Sequence, residues 1–230
     1  MDISLKTFRQ FLERLESLEW QAAGHLDPRI LTVLTDLGHH PGIVFEMVNS
    51  WTVRSLERRQ LSCHETATHY KWFIYFDKKR RFKVWLHQYK PERERRIGYA
   101  EVPHNHRYSL ASVVLSGGFM HHYYNAGPEL SECVEERCTY RPGDAYLVTW
   151  QRVHKLSELA DQTLTVVIEG PPVRNFSEAF YSSRGDPRMF YDFVGLRPRL
   201  AKELGSLCDG RSRSADERSA FTRTGSAGRR

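Results

Sequence analysis

Cysteine is scarce in this chain, and long apolar runs are absent. The 230 residues include only four cysteines, too few and too irregularly spaced for a disulfide framework or a zinc ribbon: Cys63, Cys133, Cys138 and Cys208. No apolar run approaches the roughly 20 residues that span a bilayer. The N-terminal sequence MDISLKTFRQ lacks the apolar stretch of a signal peptide. We therefore expect a protein of the reducing cytoplasm that does not insert into a membrane.

A concentrated basic face is also missing. The formal net charge is +6, but residues 205–230 carry six Arg against three acids, so half of the excess lies in one Gly- and Ser-rich segment. We expect this segment to be a disordered tail. No DNA-binding module or clustered basic helix is visible, so we expect no nucleic-acid partner.

Two helical patterns occupy residues 1–43. In the first pattern, apolar residues recur at three- and four-residue spacing, at Leu5, Phe8, Phe11, Leu12, Leu15 and Leu18. Asp27 and Pro28 are typical of a helix start, and the second pattern ends at Gly38. These patterns predict two amphipathic helices packed on the remainder of the protein.

Residues 44–172 contain short β-branched and aromatic runs, such as YKWFIYF, RFKVWLHQY and DAYLVTW, separated by turns such as DKKR and PGD. Many short strands at this spacing favour a β-barrel or a two-sheet jelly roll, because closure removes exposed sheet edges. The fold class is therefore mainly β. Residues 173–204 return to helix-like or irregular patterns, which predicts a C-terminal extension.

His104 and His106 lie two residues apart in VPHNHRYSL. In a strand, residues i and i+2 point to the same side, so both imidazoles can offer a ring nitrogen to one cation. A third ligand must then come from elsewhere in the fold. His154 is the candidate, because it follows a predicted turn at residues 142–144 and a predicted strand at residues 145–150.

These segments resemble the two motifs of the cupin superfamily. Gly98 is followed after five residues by His-x-His and later by Gly117-Gly118, and His154 follows Gly143 by eleven residues. The resemblance covers roughly residues 70–172. It implies a cupin β-barrel that binds a metal through His104, His106 and His154.

The glutamate that usually serves as a fourth cupin ligand is missing, since Leu110 and Ala111 stand in its place. A three-histidine cupin with this flanking sequence is similar to the cysteine dioxygenase group of thiol dioxygenases, which are non-haem iron enzymes. The resemblance implies Fe(II) on three histidines, with open positions for a thiol-bearing substrate and for O₂ as co-substrate. Three imidazoles also suit Zn, Ni, Cu or Mn, so the choice of iron depends on the resemblance.

The chain also departs from that group. Members with a Cys–Tyr crosslink place its cysteine where this chain has Ala111 and its tyrosine where it has Glu169, so we expect no crosslink. The arginine that binds the substrate carboxylate aligns with Asp77. If Asp77 and Glu169 both face the cavity, they favour a substrate with an amine or guanidinium group.

The strand RFKVWLHQY has two faces that can be buried. Periodicity alone assigns one face to the core, namely Phe82, Val84, Leu86 and Gln88. The resemblance to the dioxygenases turns the other face, with Trp85, His87 and Tyr89, towards the cavity. An ordinary hydrogen-bonded histidine is the alternative interpretation of His87.

The candidate site extends beyond the metal ligands. The predicted catalytic residues are Tyr89, His87 and Glu169, and the predicted substrate-binding residues are Trp85, Asp77, Tyr108 and Arg107. His121 and His122 are adjacent, so at most one of them can reach inward from a strand, and neither is assigned as a ligand.

Three functions are consistent with these residues. The first is a non-haem Fe(II), O₂-dependent oxidoreductase of the dioxygenase type that acts on a small amino-acid-like or thiol metabolite. The second is a metal-dependent oxidase, hydroxylase or cleavage enzyme for an amine- or guanidine-bearing metabolite, without thiol chemistry. The third is a non-catalytic cupin that senses a ligand. In each case we expect a small-molecule partner and a monomer or a homodimer.

Overall fold

Four helices precede the first strand in the computed structural model, which describes residues 5–20, 25–96, 98–124, 134–175, 177–178 and 197–208. They are α1 Phe8–Ser17, α2 Arg29–His39, α3 Gly42–Asn49 and α4 Val53–Gln60. We expected two helices and a β region from residue 44. This expectation was wrong, because four helices precede the first strand, which begins at His64. The change in composition near residue 44 placed most of α3 and all of α4 in the β region, but Val44 and Val48 of α3 are fully buried in a core that the helices share with the strands. Thr52 caps α4, since its hydroxyl accepts a hydrogen bond from the Ser55 N–H.

Gly38 does not end the second helix. It lies inside α2, where the helix approaches a strand so closely that a Cβ at this position would lie 2.7 Å from Val113 Cγ2 and 3.1 Å from the Cα of Gly143. The glycine at this position is therefore a packing requirement between a helix and a sheet, not a stop signal.

Nine strands are described after the helices. They are β1 His64–Glu65, β2 His69–Phe76, β3 Lys83–Tyr89, β4 Leu110–Ser116, β5 Phe119–Tyr124, β6 Val134–Tyr140, β7 Ala145–Val148, β8 Val153–Ser157 and β9 Leu164–Glu169. The larger sheet has the order β1-β2-β3-β9-β4-β7 and the smaller sheet has the order β6-β5-β8. All neighbouring strands pair antiparallel. The mainly β, two-sheet architecture predicted from the sequence is confirmed.

Gly117 and Gly118 take the chain from β4 in the larger sheet to β5 in the smaller one. Gly117 has φ of +67° and Gly118 has φ of +152°, a backbone region that favours glycine. A Cβ at Gly117 would lie 2.2 Å from the hydroxyl of Thr163, so the turn also needs the space that glycine leaves.

The larger sheet is buried on both faces. Val84, Leu86 and Ile168 pack with the helices in one core, whereas Trp85, Tyr89 and Val167 pack with the smaller sheet in a second core. The alternation along β3 and β9 therefore separates two apolar layers. The two predicted faces of RFKVWLHQY correspond to these two layers, and the second layer contains the candidate site.

A C-terminal helix covers residues 197–208. Leu200 and Leu204 are fully buried, and the Gln88 side-chain amide donates a hydrogen bond to Glu203 at 2.7 Å. The helix therefore continues four residues beyond the predicted start of the tail at residue 205, because its apolar face packs on the core. The remainder of the predicted tail, residues 209–230, and residues 179–196 of the predicted extension lie outside the described residues. Within the described part of the chain, no helix has the length and apolar character needed to cross a membrane.

Candidate metal centre

Three imidazoles from two separate segments meet between the two sheets. One ring nitrogen each from His104, His106 and His154 lies within 4.8 Å of the others, and the Nε2 atoms of His106 and His154 are 2.9 Å apart. His154 belongs to β8. His104 pairs with it through two backbone hydrogen bonds of 2.9 and 2.8 Å.

The His-x-His segment is not a regular strand. It is an extended stretch before β4 that is joined to β8 by a single bridge at His104. The i, i+2 relationship still holds, since His104 and His106 face the site while the Asn105 side-chain amide donates to Glu178 at 2.6 Å. The bridge brings the first and third ligands together although 50 residues separate them in the sequence.

Hydrogen bonds orient two of the three rings. The Nδ1–H of His104 donates to the Val102 carbonyl at 2.8 Å, which makes Nε2 the nitrogen that can bind a metal ion. His154 Nδ1 contacts His121 Nε2, and His121 Nδ1 lies 3.1 Å from the Tyr123 hydroxyl. The Tyr123 hydroxyl in turn lies 3.2 Å from that of Tyr140. His154 therefore presents Nε2 to the site with its other nitrogen held by β5.

Burial keeps these rings neutral. It lowers the pKa of His104 to about 4 and that of His121 to about 3, and it lowers the pKa of His106 and of His154 well below the usual range. Neutral imidazoles are the form that binds a metal ion. Three of them at this spacing, two of which are oriented by the hydrogen bonds described above, suit one ion at about 2.0 to 2.1 Å from each nitrogen.

A cavity of about 200 Å³ opens in front of the three imidazoles. Four of the predicted catalytic and substrate-binding residues line it: His87, Tyr89, Tyr108 and Glu169. Trp85 is buried in the core between the two sheets, 4.8 Å from the ammonium of Lys71, which does line the cavity. The structure thus brings five of the seven predicted residues to the cavity or directly against its wall.

Asp77 and Arg107 lie elsewhere. Asp77 follows β2, where the guanidinium of Arg81 binds both oxygens of its carboxylate, at 2.8 and 3.0 Å. That ion pair holds the pKa of Asp77 below its usual value. The Arg107 side chain is exposed, and it is absent from the residues that line the cavity. The turn after β2 directs Asp77 towards Arg81, so Asp77 does not line the cavity with Glu169, and the prediction that Asp77 binds the substrate there was wrong.

Glu169 does reach the cavity, but it is paired. Its Oε1 lies 3.1 Å from Lys71 Nζ and accepts a hydrogen bond of 2.7 Å from the Tyr108 hydroxyl. Burial alone would raise the pKa of Glu169, but the charge of Lys71 and the Tyr108 hydrogen bond outweigh burial and lower it. The carboxylate is ionised and already neutralised, which removes the reason for expecting a cationic substrate.

The register also corrects the residue that faces Glu169. Leu110 is paired with Glu169, whereas Ala111 is paired with Ile168 and belongs to the core on the helix side. The two positions that face each other where a crosslink would form are therefore Leu110 and Glu169. Neither of these side chains can form a thioether.

Sequence reasoning missed three residues of this site. Lys71 and His69 line the cavity from β2, and His121 supports His154 from β5. Strand alternation places His69 and Lys71 on one face, but the sequence does not show which face of β2 meets the cavity. The expectation that only one of His121 and His122 points inward agrees with the structure, in which His122 contacts the Ser157 hydroxyl at 2.6 Å.

Comparisons with known proteins find similarity in structure alone. No protein-family model matches the sequence, and no curated protein matches it. The structural neighbours are cupin, or double-stranded β-helix, proteins.

Three of these neighbours illustrate the extent of the similarity. Ectoine synthase from P. lautus is 15% identical and the match covers 58% of this chain and 93% of that one, with a TM-score of 0.37. KdgF from Halomonas sp. is 15% identical over 45% of this chain and 81% of that one, with a TM-score of 0.34. An uncharacterised protein of Klebsiella pneumoniae with a double-stranded β-helix domain is 14% identical over 50% of this chain and 86% of that one, with a TM-score of 0.34.

Proposed function

We propose that this protein is a metal-dependent cupin oxidoreductase that uses Fe(II) and O₂ to oxidise a small organic metabolite. One observation supports the proposal above the others. Three neutral histidines converge at the wall of a small cavity, and among the described residues no carboxylate belongs to their group. The resemblance of the motifs to the three-histidine dioxygenases supports iron as the metal.

The three histidines contribute no charge, so a bound divalent ion would keep its full charge and attract an anionic substrate donor, and three protein ligands would leave a position open for O₂. The Lys71–Glu169 pair adds no net charge to the cavity, so it does not cancel this attraction. An anionic or carboxylate-bearing metabolite therefore fits the site better than an amine or a guanidine does.

Two buried side chains are suited to act on the substrate. Burial raises the pKa of Tyr89 well above its usual value, so its phenol stays protonated and can donate a hydrogen bond. Burial lowers the pKa of His87, so its imidazole is neutral and its buried Nε2 faces no hydrogen-bond partner among the described residues. We assign both side chains to proton handling and orientation at the substrate.

A second candidate function keeps the metal and replaces thiol oxidation by oxidation or cleavage of a metabolite without a thiol. The pairing of Leu110 with Glu169 favours it, because the crosslink of the thiol dioxygenases cannot form there.

The test is anaerobic loading with Fe(II), followed by metal analysis and O₂ uptake against thiols, amino acids, other carboxylates and guanidines. We expect one iron per chain and substrate-dependent O₂ uptake that the His154→Ala variant loses. If a carboxylate without a thiol drives uptake and thiols do not, the second candidate replaces thiol oxidation. Turnover that needs a metal but consumes no O₂ would overturn the oxidoreductase assignment.

A further inference from the structure

Lys71 is the basic residue of the cavity. Among the described residues that line the cavity, Lys71 is the single lysine or arginine and Glu169 the single acid. The Lys71 side chain is 19% exposed, and its ammonium lies 4.8 Å from the centre of the Trp85 ring. An ion pair this deep in a protein contributes little to stability, because the desolvation of both charges offsets most of their attraction.

Lys71 and Glu169 use different shares of their hydrogen-bonding groups. An ammonium has three N–H donors, and among the described residues Lys71 uses one of them, towards Glu169. Glu169 Oε1 instead accepts from two donors, Lys71 at 3.1 Å and Tyr108 at 2.7 Å. The hydrogen-bonding groups that remain on the cavity side are therefore N–H donors of the Lys71 ammonium. Their best partner is an anionic acceptor.

Two histidines on the same wall have unused ring nitrogens. His69 is 8% exposed, and its Nε2 and that of His87 are buried with no hydrogen-bond partner in the described part of the chain. The two rings stack with their centroids 4.5 Å apart, and both line the cavity. A buried polar atom without a hydrogen-bond partner costs free energy, so these two nitrogens indicate that a ligand binds here and supplies the missing hydrogen bonds.

The three side chains share one face of the β2–β3 pair. His69 and Lys71 are two residues apart on β2, and Lys71 is directly opposite His87 on β3. The Thr68 hydroxyl lies 2.8 Å from His69 Nδ1, and in the tautomer in which this hydroxyl donates, the ring proton of His69 is on Nε2. Tyr108 connects this wall to the metal centre, since its ring stacks on His106 at 5.5 Å and its hydroxyl binds Glu169.

We propose that Lys71, His69 and His87 form a subsite that binds the carboxylate of a small organic acid, with Glu169 and Tyr108 as positioning residues for Lys71. In the described part of the chain, the ammonium of Lys71 has donors beyond the one that Glu169 accepts, and these match the oxygens of one carboxylate. The cavity of about 200 Å³ admits only a small acid. This inference depends on the proposed function in placing the substrate in this cavity, but the binding itself needs no reaction.

Ligand-observed NMR titration of the full-length protein, with and without Zn(II), tests the subsite. The probes are propionate, its neutral isostere propionamide and the cation propylammonium. We expect propionate to bind best, also without metal, and Lys71→Met to weaken its binding by at least about tenfold. Lys71→Arg should keep most of the propionate affinity, and His69→Phe should weaken it.

Lys83→Met is the matched control. Lys83 lies on the neighbouring strand β3, and its ammonium is 5.8 Å from the Phe76 ring instead of in the cavity. This variant should bind propionate as the unaltered protein does. Equal propionate affinity in Lys71→Met and the unaltered protein, or preferred binding of propylammonium, would overturn the subsite. Thermal unfolding checks that each variant is folded, and if Lys71→Met is not, the His69→Phe and Lys71→Arg titrations still decide.

The two proposals fail separately. If propionate binds through Lys71 but no substrate drives O₂ uptake, the subsite proposal stands and the oxidoreductase proposal is wrong. If the protein does not bind propionate, and a substrate drives O₂ uptake that propionate does not inhibit, the oxidoreductase proposal stands and the subsite proposal is wrong.

Discussion

His121 contacts Nδ1 of His154, on the side of that imidazole away from the nitrogen that approaches His106. The two histidines lie on the paired strands β5 and β8 of the smaller sheet. Because outer hydrogen bonds fix the tautomer and orientation of a ligand histidine, His121 acts on the metal centre through His154.

Removing this hydrogen bond should weaken metal binding without removing a ligand. We expect His121→Phe to lower the metal affinity by about 10- to 100-fold, measured by competition with a chelator. His121→Gln retains a polar group and should recover part of the loss. His122→Phe is the control, because His122 faces Ser157 and not His154. Equal metal affinity in His121→Phe and His122→Phe would contradict the positioning role.

The ligand set predicts a sharp difference among the histidines of the cavity. His104→Ala, His106→Ala and His154→Ala should each lose stoichiometric metal, because two imidazoles do not complete the site. His87→Ala should retain it, since His87 faces the cavity outside the group of three. Metal content per chain, measured after dialysis, checks all four variants. Tight metal in any of the first three variants would exclude that residue as a ligand.

Acid should destabilise the metal-free protein. The pKa of His104 falls from 6.5 in the unfolded chain to about 4 in the folded protein, and that of His121 falls from 6.5 to about 3, through burial. The unfolded chain therefore binds more protons between these values, and stability is fully present above pH 6.5 and is lost as the pH falls towards 4. For His104 alone the loss is about 2 kcal/mol by pH 5.

Urea unfolding of the metal-free protein between pH 7 and pH 5 measures this effect in a range where carboxylates titrate little. The His104→Gln variant should show a shallower decline. A free energy of unfolding that stays constant from pH 7 to pH 5 would show that these imidazoles do not remain neutral in the folded protein.

The contact between α2 and β4 predicts opposite effects at two helical glycines. Gly38→Ala places a Cβ 2.7 Å from Val113 and 3.1 Å from the Gly143 backbone, so we expect a loss of about 1 to 3 kcal/mol from overpacking. Gly42→Ala, at the start of α3, meets nothing closer than the Cys208 sulfur at 3.8 Å and should be neutral or slightly stabilising. Chemical denaturation of both variants makes the comparison. Destabilisation by Gly42→Ala as large as by Gly38→Ala would refute the close approach.

Local patterns were sufficient where a local rule governs the structure. The alternation of β3 predicted two buried faces, and two apolar layers do meet there. A turn was predicted at residues 142–144, and Gly143 has a positive φ there. Residues 44–60 were wrongly placed in the β region, because composition is a weak guide once a helix can bury its apolar side against a sheet.

The sequence by itself determined the fold class, the two helices before residue 40 and the three histidines of the candidate metal centre, since periodicity and motif spacing are properties of neighbouring residues. Only the tertiary structure decided that Lys71 neutralises Glu169, that Asp77 pairs with Arg81 and that His121 supports His154. The Lys71–Glu169 and His121–His154 pairs join strands far apart in the chain, and the Asp77–Arg81 pair depends on the turn between β2 and β3. Register and turn geometry set these contacts, and no periodicity in the sequence records them.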